Sequence, residues 1–113
     1  MIGLAEVRKM ALSFEGAEEQ PHFEKSSFRV NKKIFATLDS ENNRACFKLN
    51  LVDQSVFSAF DKEAIYPIPN KWGKLGWTYF ELKKVRKDML LDAMILSYCG
   101  VAPKKYAEKY KRE

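Results

Sequence analysis

Ser26-Ser27-Phe28-Arg29-Val30-Asn31-Lys32-Lys33-Ile34-Phe35-Ala36-Thr37-Leu38 decides the fold. Apolar and polar residues alternate on either side of Asn31-Lys32, a dipeptide suited to a tight turn, so the stretch predicts a β-hairpin. A polar loop over 39–43 leads into a third run, 45–49, with Phe47 and Leu49 on one side and Cys46 and Lys48 on the other. Three strands joined by connections this short form an antiparallel meander.

Outward from the meander, the patterns change period. Leu4, Val7, Ala11 and Phe14 recur at spacings of three and four, which predicts a helix over roughly 3–14 ending near Gly16. Residues 15–25 are acidic and interrupted by Pro21, and are expected to be irregular. Asn50 with Asp53 three positions on predicts a capped helix over about 51–60 that buries Val56, Phe57 and either Phe60 or a neighbour. The segment Ile65–Ile68 suits only a short edge, 69–76 a loop, and 77–82 a strand. A long helix is expected over about 87–99, stopped by Gly100, with Pro103 opening a charged terminal helix that carries Lys104, Lys105, Lys111 and Arg112. The order predicts an α+β fold in one domain spanning 1–113, an antiparallel sheet with helices packed on one face.

Length and composition agree with that economy. The 113 residues are 46% hydrophobic and 31% charged, enough for one core without metal or disulfide staples. Two cysteines 53 positions apart form neither a zinc pattern nor a redox pair, and with no secretory-type leader they suggest a reducing, cytoplasmic setting. No apolar run approaches a membrane span. The net charge of +5 is uneven. Residues 1–30 hold four cations and five anions, 31–60 four and three, and 61–113 twelve and seven. A basic C-terminal half permits an anionic partner.

Period-two geometry then assigns faces. With Phe28, Val30, Ile34, Ala36, Leu38, Phe47, Leu49, Phe80 and Leu82 toward the helices, the opposite face carries Arg29, Lys33, Phe35, Thr37, Lys48, Trp77, Tyr79 and Glu81. Cations among aromatic rings suit phosphate and base contacts, and equally suit rings that merely cover the sheet. Pro69-Asn70-Lys71-Trp72-Gly73-Lys74-Leu75-Gly76-Trp77 is the densest candidate, offering lysines for phosphate and indoles to stack or wedge. The same loop would serve as a lid on the core. The run Lys83-Lys84-Val85-Arg86-Lys87 reads as a solvated face.

Chemistry of other kinds has little support. His22 stands among Glu18, Glu19 and Glu24 and is the one metal or base candidate, but nothing fixes a second ligand or a nucleophile beside it. No phosphate-cradling loop, dinucleotide fingerprint or catalytic arrangement is visible, so no enzyme, metal or cofactor is expected.

Several blocks resemble the MmcQ/YjbR-like family: 11–19, Phe28-Arg29-Val30 with 33–38, Ile65-Tyr66-Pro67-Ile68-Pro69, Trp72-Gly73-Lys74-Leu75-Gly76-Trp77-Thr78 and Val101-Ala102-Pro103-Lys104-Lys105. The resemblance covers about residues 4–106. It implies a frataxin-like (CyaY-like) fold and a bacterial, cytoplasmic DNA-binding protein, and brings no catalytic set. The expectation is a monomeric, non-enzymatic DNA-binding domain. Arg29, Lys33, Lys48, Lys71 and Lys74 would serve phosphate, and Trp72, Trp77 and Tyr79 would offer rings. The alternative is a protein- or small-ligand-binding module using the open sheet face.

Overall fold

In the computed structural model, which describes residues 2–22 and 25–110, four strands follow the first helix. Helix α1 spans Leu4–Leu12, followed by β1 (Glu18–His22), β2 (Lys25–Val30), β3 (Lys33–Asp39) and β4 (Arg44–Lys48). Helix α2 (Leu51–Phe60), β5 (Ile65–Pro67), the one-turn α3 (Lys71–Lys74), β6 (Trp77–Glu81), α4 (Lys87–Val101) and α5 (Lys104–Ala107) complete the chain. The strands form one antiparallel sheet in the order β1-β2-β3-β4-β6-β5. The helices pack on one face of it, as expected. Glu24, Lys111 and Arg112 lie outside the described residues.

The hairpin turn forms where Asn31-Lys32 predicts it. Both residues have positive φ, 52° and 69°, the twist that matches two right-handed strands. Asn50 caps α2, its Oδ1 accepting from the Asp53 N–H at 2.7 Å. The core is apolar and continuous, and joins Phe28, Val30, Leu38, Phe47, Ile65 and Phe80 of the sheet to Val7, Ala11, Leu90, Ala93 and Met94 of the helices.

Four expectations need correction. The first concerns Phe35 and Ile34. The β2–β3 register slips between Phe28 and Arg29, so β3 carries one extra residue at Phe35. A β-bulge of this kind interrupts strict alternation. Phe35 is consequently fully buried on the helix side, edge-on to Phe14 (5.9 Å) and Tyr98 (5.5 Å), while Ile34 pairs with Arg29 and is only half-buried.

The second concerns α2, which turns its most apolar row outward. Val56 and Phe60 are 63% and 64% exposed. The sheet side is instead occupied by Phe57, packed on Phe80, and by buried Gln54. Third, residues 18–22 are a strand rather than an irregular segment. Pro21 is tolerated there because β1 lies at the sheet edge. Fourth, Gly100 does not stop α4, which runs on to Val101.

Candidate nucleic-acid interface

Strand polarity sorts the predicted site. The end of the sheet holding the Asn31-Lys32 turn also holds the exit of β4 at Lys48 and the entry of β6 at Trp77, which are register partners. Helix α3 stands just before that entry, and α4 finishes beside it. Leu96, Ser97, Gly100 and Val101 of α4 line one cleft together with Lys48, Asn50, Leu51, Asp53 and Leu75. Its volume is about 440 Å³. Tyr106 of α5 reaches the same region, close to Val30 and Gly16. Lys33, Lys48, Lys71, Trp72, Lys74 and Trp77 thus gather at one end from three separated parts of the chain, and Lys104 and Lys105 begin α5 there.

Backbone constraints hold α3 in place. A Cβ on Gly73 would lie 1.9 Å from the Ile68 carbonyl oxygen, so only glycine admits this approach. Gly76, with φ +111°, meets the Leu49 carbonyl equally closely and donates no room to a side chain. The Gln54 amide nitrogen donates to the Gly73 carbonyl at 2.9 Å and to Thr78 Oγ1 at 3.1 Å. Asn70 Oδ1 accepts from the Trp72 N–H at 2.8 Å. Trp72 is left 49% exposed, with Lys71 Nζ 5.5 Å from its ring centroid, and Trp77 is half-buried. Neither indole is sealed in the core.

Lys33, Lys48, Lys71 and Lys74 are exposed and form no ion pair among the described residues. Their charge opposes the partial negative charge at the C-terminus of α4. At the opposite end Lys83 and Lys84 are likewise exposed and form no ion pair among the described residues, but Asp39, Arg44 and Glu81 join in a connected cluster. Asp39 lies within 3.9 Å of Lys25 and 3.8 Å of Arg44, and Arg44 lies 3.8 Å from Glu81. Burial pushes the Asp39 carboxyl up, but hydrogen bonds from the Asn42 side chain and backbone, with Lys25 and Arg44, together hold it below the ordinary range. The Tyr66 hydroxyl donates to Glu81.

Two predicted residues stand apart. The Arg44 guanidinium carbon sits 4.0 Å from the Tyr79 ring centroid, and Tyr66 meets Tyr79 edge-on at 5.7 Å. One Tyr79 face is therefore already covered. Arg29 Nε donates to Ser27 Oγ at 3.0 Å, which fixes it along the sheet instead of toward the lysines. Cys46 faces the same side, and burial pushes its thiol up to about 12, far from thiolate chemistry at neutral pH. Among the described residues, His22, Glu18 and Glu19 included, no group of three or more potential ligands could hold a metal ion. No helix among them is long and apolar enough to cross a membrane.

Gln54, which the sequence does not mark as a site residue, holds α3 and the entry of β6 together. Its only signal was a polar residue three before Phe57 on a helix otherwise rich in apolar groups.

Sheet order and one-sided helices define a class of small α+β domains. Within it, the family model described as YjbR matches residues 12–99, and the chain belongs to that family. The structure is similar to that of the Deinococcus radiodurans protein DR2400, a DUF419 domain. The TM-score is 0.80 at 17% identity, over 96% of this chain and 88% of that one. That likeness bears on fold alone. No curated protein matches.

Proposed function

We propose that this protein is a small, non-enzymatic DNA-binding domain that takes the phosphate backbone at the cationic end of its sheet. The observation that supports the reading is that end itself: Lys33, Lys48, Lys71 and Lys74 are all exposed and without acidic partners among the described residues, and Lys71 stands beside the exposed ring of Trp72. Ammonium groups bind phosphate by displacing counterions, and an indole beside them can stack on a base or wedge into a groove. Arg29 and Tyr79 play no direct part in this reading, because their polar or ring surfaces are engaged within the sheet. The expected partner is DNA in the reducing cytoplasm of a bacterium, bound with weak sequence preference.

The cleft beside Lys48 favours a second reading, a site for a small ligand. It moves the ligand-binding alternative from the open sheet face to the sheet end, since the open face is occupied by the Arg44–Tyr79–Glu81 cluster.

Salt titration of binding to a short duplex separates them. Four phosphate contacts give a slope of about −3.6 in log affinity against log salt, at ~0.9 per contact. Lys71→Glu combined with Lys74→Glu is expected to weaken binding at least tenfold and to flatten the slope by about half. Affinity that ignores salt, or survives both substitutions, overturns the DNA reading.

A further inference from the structure

We propose that the cleft beside Lys48 takes one unpaired base of the bound DNA, and that Asp53 selects a base with an exocyclic amino group. The proposal rests on the DNA reading above and adds what lysines do not supply. Phosphate contacts position a strand but carry no sequence information. The cleft has the shape for a base. Buried Leu49 lines its inner side, and Leu51, Leu75 and Leu96, exposed by 58%, 57% and 42%, border its opening. Aliphatic groups from α2 and α4 suit the flat faces of a ring, and about 440 Å³ admits a base with its sugar. Gly100 forms part of the α4 wall. A Cβ there would meet nothing within 4 Å, so the fold itself does not require glycine. Glycine inside a helix is destabilising, and what it provides here is bare backbone that a ligand can approach closely.

Asp53 sets the kind of base. Among the described residues that line the cleft, it and Lys48 are the charged ones. The Asp53 N–H donates to Asn50 Oδ1, but the Asp53 carboxylate forms no ion pair or hydrogen bond among the described residues. A carboxylate beside Lys48 opposes phosphate, so phosphate alone does not account for the lining. The same group accepts well from an amino group such as N4 of cytosine. Thymine instead presents one N–H between two carbonyl oxygens, which a carboxylate repels. Lys48, its backbone N–H held by Ser97 Oγ at 3.1 Å, is left to the adjoining phosphate, and the Asn50 amide nitrogen to a base carbonyl. A nucleotide with an unpaired, amino-bearing base uses every one of these groups. Bases paired within a duplex do not reach the cleft, so duplex binding keeps its weak sequence preference.

The test is fluorescence anisotropy of labelled oligodeoxycytidine and oligodeoxythymidine of equal length, titrated with the full chain at several salt concentrations beside the duplex. The cytidine strand is expected to bind about tenfold tighter than the thymidine strand. Asp53→Ala is expected to remove that difference. So is Gly100→Leu, which fills the cleft from a position with open space, and both variants should keep the parent circular dichroism spectrum and the parent salt slope. Equal affinity for the two strands, a preference that survives either substitution, or binding confined to the duplex overturns the proposal. Each of those results leaves the DNA reading in place, because that reading is carried by the salt slope. No binding to any of the three at low salt overturns the DNA reading and this proposal with it.

Discussion

The Ser97 hydroxyl donates to the Phe35 carbonyl at 2.5 Å and accepts from the Lys48 N–H at 3.1 Å. The bulge at Phe35 ends the β3–β4 ladder at the Ala36–Phe47 pair, leaving that carbonyl and that N–H without strand partners. A buried serine on α4 replaces the missing rung and ties the helix to the sheet end where Lys48 emerges.

Ser97→Ala leaves two backbone polar groups unpaired, the Phe35 carbonyl in a buried site and the Lys48 N–H in a part-buried one. The expected cost is about 1–3 kcal/mol per group left unsatisfied, read as a lower urea midpoint with an unchanged m-value. Stability equal to that of the parent chain would show that the hydroxyl is not the missing rung.

Gln54→Leu keeps the side-chain bulk but removes the donor to the Gly73 carbonyl and Thr78 Oγ1. Stability is expected to fall by about 1–3 kcal/mol. Amide exchange over residues 71–77 should also accelerate more than exchange in β3. Uniform acceleration across the sheet would mean that Gln54 supports the fold without specifically holding α3.

Asp39 supplies a pH dependence. Its folded carboxyl lies below the ordinary value of 3.8, so its contribution is complete above about pH 4 and is lost as pH falls through the folded value. Asn42→Ala removes the 2.8 Å bond from Nδ2 to Asp39 Oδ2 and lets the carboxyl rise toward that ordinary value. The stability gap between parent and variant should be widest near pH 7 and should narrow at pH 3. A gap of constant size would place the effect of Asn42 elsewhere in the turn.

Where local chemistry alone sets the backbone, the sequence was readable. Asn31-Lys32 and the Asn50 cap are short-range devices, and both form as their residue types require. The exposed lysines and Trp72 were also legible, because a dense polar–aromatic loop announces itself. Phe35 was not, since an inserted residue changes the phase of alternation without changing composition. α2 misled for a different reason. A row of Val52, Val56 and Phe60 has the period of a core face, and only the tertiary need to satisfy Gly73 and Thr78 puts Gln54 inside instead. Glu18–His22 was hidden by Pro21, which an edge strand tolerates and a central one would not.

The crowding of four ammonium groups near Lys48 has a consequence in free solution. Grouped charge meets a sulfonated resin with several contacts at once, so reversing Lys71 and Lys74 together should advance elution from such a resin more than reversing two lysines that lie far apart on the surface.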